Sequence, residues 1–237
     1  RDCLLSRGLG DVYKRQGMDF YNIRIWETEE VTETSVRFKL HSPDGDQGYP
    51  GTADIYVTYS LDKDDKLDIF YEALSDKDTI LNMTNHSYFN LDGHNSGSVL
   101  QHTLTLEADY FTPGDAQSIP TGEILPVENT PMDFREGRKI GERIEEEYEP
   151  LRFGNGYDHN WVLKNKGNFE KVAELMAEES GIVMETYTDR PGMQIYTANF
   201  VENEVGKEGV VYGKRSAVCL ETQCYPCLLY TSDAADE

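Results

Sequence analysis

The sequence predicts an all-β fold, a sandwich or barrel of antiparallel strands, on two observations. Short runs alternate apolar and polar residues with the period of two that half-buried strands show. Clusters of turn-forming residues separate those runs at close intervals. A chain of 237 residues is long enough to be one such domain.

Residues 35–40 alternate, and residues 53–59 do so with β-branched and aromatic side chains on one face. Residues 66–73 form a third run and residues 104–108 a shorter one. The turn clusters lie at residues 41–45 (HSPDG), 61–65 (LDKDD), 92–93 (DG) and 112–114 (TPG). A strand-like stretch at residues 79–84 leads into the first motif discussed below. Residues 169–179 are ambiguous, because Val172, Leu175 and Met176 also fit helical spacing. The turn at Glu179, Ser180 and Gly181, followed by the alternating run 182–188, favours a β-hairpin there. Ile140, Ile144 and Tyr148 recur every four residues, which predicts a short surface helix with Glu145, Glu146 and Glu147 solvated.

The two ends read differently. Residues 6–16 are SRGLGDVYKRQ and residues 227–237 are CLLYTSDAADE. DVYKRQ is encoded by GATGTGTATAAGAGACAG and CLLYTS by TGTCTCTTATACACATCT. The two strings are reverse complements over roughly 17 bases, the mark of one sequencing adaptor read on both strands. Residues 1–16 and 227–237 are therefore expected to be adaptor-derived, leaving residues 17–226 as one partial domain.

The net charge is −22. Setting aside four basic and two acidic residues at the first end and three acidic ones at the second leaves −21. That disfavours nucleic acid and anionic membrane surfaces as partners, and also a phosphorylated substrate unless cations cluster locally. No apolar run is long enough to span a bilayer. Outside the two ends only Cys219 and Cys224 remain, five residues apart, with no further cysteine to complete a zinc site or a disulfide framework. Both are expected to be reduced thiols, Cys219 packed in a strand.

Three motifs carry side chains suited to chemistry. TNHSYFNL at residues 84–91 contains His86, either a packed core histidine or an acid/base group. In AVCLETQ at residues 217–223 an apolar strand leads into Glu221. A carboxylate there either faces solvent by simple alternation or is buried with a partner or a task; burial would raise its pKa toward that of a useful general base. Asp158, in GYDHN at residues 156–160, follows the flexible turn Gly154, Asn155, Gly156 and is either a ligand-binding carboxylate or an Asx-turn cap. Gln194 stands on an alternating run and offers both a donor and an acceptor to hydroxyls. His86, His94 and His102 recur every eight residues, which matches no common zinc spacing. No Gly-x-Ser-x-Gly elbow is present for a nucleophilic triad.

These motifs, together with residues 103–135 and 188–200, resemble the galactose mutarotase (aldose 1-epimerase) family in several segments and in family order. The resemblance implies a large antiparallel β-sandwich with an open sugar cleft, no metal and no organic cofactor. It implies an aldose substrate, with His86 as general acid at the ring oxygen and Glu221 as general base at the C1 hydroxyl. Tyr88, Asp158 and Gln194 would contact sugar hydroxyls, and Trp161 or Tyr88 would offer an aromatic face. By family default the location would be cytoplasmic; oligomeric state and preferred sugar stay open. The family also has an upstream sugar-binding arginine and a second histidine, and strands downstream of Pro226, which this sequence lacks. The alternatives are a noncatalytic carbohydrate-binding sandwich and a hexose-phosphate epimerase of the same superfamily. The latter would need a phosphate patch; Arg135, Arg138, Lys139 and Arg143 cluster, but on the expected surface helix and away from the cleft motifs.

Overall fold

A computed structural model describes residues 21–225. The two ends read as adaptor translation, residues 1–16 and 227–237, lie outside the described residues. The chain divides into two compact units, one ending at Met83 and one beginning at Thr84.

In the first unit β1 (Glu27–Val31), β2 (Ser35–Ser42), β3 (Ala53–Leu61) and β4 (Leu67–Ser75) form an antiparallel meander in sequence order. The runs at 35–40, 53–59 and 66–73 all become strands. Alternation along β3 buries Ala53, Ile55 and Val57 and leaves the intervening side chains on the other face. Residues 79–84 form no strand: the chain passes there from one unit to the next, and no ladder pairs it.

The second unit contains β5 (Thr103–Leu106), β6 (Ala108–Thr112), β7 (Leu125–Pro126), β8 (Arg138–Lys139) and helix α1 (Glu149–Gly154). It continues with β9 (Asp158–Leu163), β10 (Glu170–Met176), β11 (Val183–Thr188) and β12 (Gly192–Tyr196). The short β13 (Glu204–Val205) and β14 (Val211–Tyr212) pair with each other, and β15 (Cys219–Gln223) is last. One sheet has the order β11-β10-β5-β8 and another β15-β12-β9-β6-β7, all antiparallel.

The ambiguous segment 169–179 is a strand. Its helical spacing is overridden because β10 pairs on both sides, with β11 and with β5. The run at 104–108 divides into two strands serving different sheets. Glu107 sits at the crossing, its N–H bonded to Val172 O and its carbonyl accepting from Lys164 N–H. Leu104, Leu106, Val172 and Leu175 of the first sheet meet Phe111, Trp161, Met193, Ile195 and Leu220 of the second in one buried cluster. Two sheets burying one shared face is the sandwich that the alternation predicts. Each of these larger side chains contributes about 1.5–3 kcal/mol by leaving water.

The helix expected at residues 140–148 does not form; the segment is a series of turns, and α1 starts only at Glu149. Ile140 N–H bonds His102 O and Gly141 N–H bonds Leu100 O, continuing the extended pairing of β8 with β5. A Cβ on Gly141 would lie 2.8 Å from Leu100 Cβ, so the close approach needs glycine. Ile140 and Ile144 are core residues nonetheless.

Candidate active site

The register of the five-stranded sheet explains where the polar side chains gather. Gln194 on β12 stands opposite Glu221 on β15 and Asn160 on β9, and Asn160 stands opposite Thr112 on β6. Directly opposed residues share a face, so these four form one row across the sheet. Two residues along lies the parallel row Cys219, Tyr196 and Asp158. The positions out of phase with these rows, Leu220, Ile195, Met193 and Trp161, point into the core. One face of the sheet is therefore mainly apolar and stabilising, and the other gathers the polar side chains.

His86 reaches that face from a loop. Phe89 and Val218 exchange both backbone hydrogen bonds at 2.9 Å, an isolated antiparallel bridge beside β15. Continuing that register three residues sets position 86 opposite position 221. Asn90 locks the loop there, its side-chain amide donating to Ser216 O at 3.0 Å and Gly97 O at 3.1 Å. The result is His86 Nε2 at 3.2 Å from Glu221 Oε1. Glu221 is 6% exposed, while the His86 side chain retains 28% of its accessibility. The carboxylate is thus buried with a partner, and the histidine is not core filler.

Tyr88 stacks on His86 with ring centroids 5.1 Å apart and is 53% exposed. Tyr196 meets both rings edge-on, at 6.0 Å from His86 and 6.3 Å from Tyr88. Asp158 accepts a 2.6 Å hydrogen bond from Gln194 Nε2. The structure thus brings all five sequence-predicted residues, His86, Tyr88, Asp158, Gln194 and Glu221, to one face. Trp161, offered as an alternative aromatic surface, is not available: it is fully buried, and its indole N–H donates to Met132 O at 3.0 Å. It occupies the core side of β9, one residue out of phase with the polar row.

The loop before β9 is held by a buried arginine that sequence reasoning missed. Arg215 donates to Asn155 O at 2.8 Å, to Thr197 Oγ1 at 3.3 Å and to Asn199 Oδ1. Asn199 in turn donates to Gly154 O at 2.7 Å and Tyr157 O at 2.9 Å. Burial pushes the guanidinium pKa down, against support from Glu145 at 3.3 Å. Gly156 has φ +125°, and a Cβ there would lie 2.5 Å from Arg215 Nη2, so glycine is required twice over. This latch fixes the start of β9 and hence Asp158.

Sequence reasoning also missed Tyr196, Asn160 and Cys219 as neighbours of the site. The signal was available, since Cys219 and Tyr196 lie two residues from Glu221 and Gln194 on their strands. Cys219 and Cys224 are both free thiols, Cys219 fully buried, as expected. Among the described residues, one group of three potential metal ligands occurs, His86, Cys219 and Glu221, with donor atoms within 4.8 Å of one another. His94 and His102 belong to no such group. His102 is buried, accepts the Leu91 N–H at Nε2 (3.0 Å), and has its pKa pushed down by burial.

The four clustered cations are engaged by carboxylates. Arg135 bonds Asp133 at 2.8 Å and Asp109 at 3.2 Å, and Arg143 bonds Glu146 at 2.7 Å. Arg138 lies 3.8 Å from Glu142 and Lys139 3.6 Å from Glu178. Cations so committed do not make a phosphate patch. No helix of the described residues is long and apolar enough to cross a membrane.

A family model described as Aldose 1-epimerase matches residues 15–232. The chain belongs to the aldose 1-epimerase family. Among curated relatives in this family, the galactose mutarotase of Sus scrofa is 43% identical over 203 residues, covering 85% of this chain and 57% of the pig protein. The aldose 1-epimerase of Escherichia coli K12 is 34% identical over 222 residues, covering 93% of this chain and 63% of that protein. Among solved structures, an aldose epimerase homologue from C. elegans superposes with a TM-score of 0.75 at 33% identity, covering 84% of this chain and 59% of the other. A galactose 1-epimerase from Lactobacillus acidophilus NCFM gives 0.74 at 29% identity, covering 86% of this chain and 59% of the other. The chain spans under two thirds of the length of these relatives.

Proposed function

We propose that this chain carries the acid/base pair of an aldose 1-epimerase, interconverting the α and β anomers of D-galactose or D-glucose. The observation that carries the reading is the 3.2 Å approach of His86 Nε2 to Glu221 Oε1 on the polar face of the sheet. Ring opening needs a proton delivered to the ring oxygen and another removed from the C1 hydroxyl, so one group cannot lower the barrier at both oxygens. In this scheme protonated His86 donates to the ring oxygen while the Glu221 carboxylate takes the C1 hydroxyl proton. Rotation about C1–C2 then presents the other face of the aldehyde. On closure Glu221 returns its proton and His86 recovers one, so the pair ends as it began. Asp158 and Gln194, already hydrogen-bonded to each other, would exchange that contact for sugar hydroxyls, and Tyr88 would offer its exposed ring to the sugar.

The pairing of a partly exposed histidine with a buried carboxylate favours catalysis over a noncatalytic sugar-binding sandwich, which would need only the amide and aromatic contacts. The engaged cations speak against a hexose-phosphate substrate. The acidic charge balance supports a reading without nucleic acid, and the family default suggests the cytoplasm.

The test is proton NMR exchange between the anomers of D-galactose, with Glu221→Gln as the partner sample. The substitution should lower the catalysed rate by about 10²–10⁴-fold, the contribution of one acid/base group. A folded protein that leaves exchange at the solvent rate, on galactose and glucose alike, would replace the enzyme with the sugar-binding module.

A further inference from the structure

Cys219 takes no part in the chemistry just described, yet it lies against the two groups that do. It precedes Glu221 by two residues on β15, so both side chains leave the same face of the strand. The loop carrying His86 is clamped beside them by the Phe89–Val218 bridge. A ring nitrogen of His86, the Cys219 sulfur and a Glu221 oxygen all lie within 4.8 Å of one another. Metal–ligand bonds of about 2.0–2.3 Å allow one tetrahedral ion to touch all three once the side chains draw together around it. Three protein ligands also leave a fourth position for water.

The donor set selects the ion. One thiolate, one imidazole and one carboxylate suit a borderline-soft divalent cation such as Zn²⁺ and do not suit Mg²⁺ or Ca²⁺, which prefer all-oxygen shells. Rigid strand placement of two ligands and the Asn90 anchor of the third reduce the ordering cost of binding. Occupation would use the His86 lone pair and the Glu221 carboxylate, the groups that acid/base catalysis requires.

We propose that His86, Cys219 and Glu221 form an inhibitory site for a Zn²⁺-class cation, competitive with sugar. Binding deprotonates the Cys219 thiol, with its proton going to solvent, and no electron is transferred. The binding step stands on the donor cluster alone; the inhibition rests on the acid/base reading above.

Titration with Co²⁺ as a spectroscopic probe tests the site on the chain as it stands. The expected result is a saturable thiolate-to-cobalt charge-transfer absorption at one ion per chain. Zn²⁺ should displace it, millimolar Mg²⁺ should not, and Cys224→Ser should leave it intact. Cys219→Ser and Cys219→Ala, each checked for fold by circular dichroism, should abolish it. No absorption in the unaltered chain, or absorption undiminished in both folded Cys219 variants, overturns the site. In the anomer-exchange assay at sugar concentrations well below KM, Zn²⁺ at tenfold its Kd should slow catalysis about elevenfold. A chelator should restore the rate, and Cys219→Ala should blunt the effect. Exchange that Zn²⁺ leaves untouched while cobalt binds overturns the inhibition. Cobalt binding in a metal-free protein with no exchange activity supports the site and removes the enzyme reading.

Discussion

Gly156 is where a single residue bears most directly on the site. Its left-handed φ and its contact with Arg215 together exclude a side chain. Gly156→Ala should lower the stability of the unit from Thr84 onward by about 1–3 kcal/mol, the scale of local backbone strain. It should also raise the KM for sugar, because Asp158 follows two residues later; denaturation midpoints and steady-state kinetics measure the two effects. Gln194→Met removes the donor to Asp158 while keeping the side chain's length. The loss of one hydrogen bond to a sugar hydroxyl, about 0.5–1.5 kcal/mol, should appear as a raised KM. An unchanged KM in a folded Gln194→Met protein would remove Gln194 from the sugar contacts.

At the scale of the element, β12 shows how one strand serves two purposes. Met193 and Ile195 enter the core and Gln194 and Tyr196 enter the site, with strict alternation between them. Ile195→Ala should cost about 2–5 kcal/mol, as truncation of a fully buried aliphatic side chain does. Urea unfolding followed by the fluorescence of Trp161, on the adjacent strand, reads that loss. Gly192 at the strand's start admits no larger residue, since a Cβ would lie 2.6 Å from Asn160 Oδ1. Elements were legible where a single period dominated: the alternating runs of β2, β3, β4 and β11 all formed. They were illegible where pairing overrode the local pattern, as at 140–148. There the i, i+4 spacing of Ile140, Ile144 and Tyr148 reflects three core contacts from a turning chain.

The whole molecule is strongly acidic, and buried His102 should add a near-neutral component to its pH response. Burial depresses the His102 pKa below its ordinary 6.5. Above 6.5 the folded and unfolded chains both hold it neutral, and its contribution is complete. As pH falls below 6.5 the unfolded state binds the proton first, so stability declines until the folded pKa is passed. The carboxylates held down by cations, such as Asp133 and Asp109 beside Arg135, act only at lower pH, below their ordinary 3.8. Denaturation midpoints of the unit from Thr84 onward should therefore drop between pH 6.5 and 5. His102→Gln should flatten that segment of the curve; an identical slope in the variant would assign the titration elsewhere.

Sequence alone determined the fold class, and its resemblance to a family singled out five residues that the structure places on the polar face. Both are local in origin: alternation writes strands, and short motifs preserve their side chains whatever surrounds them. It could not determine which strands lie side by side, because register depends on contacts between distant residues. Only tertiary structure therefore decided that position 86 stands opposite position 221, and that Trp161 belongs to the core rather than the site. The same long-range pairing set Arg215 against Gly156 and Cys219 against the acid/base pair. A strand's two faces are chemically labelled in its sequence, but their neighbours are chosen by the sheet.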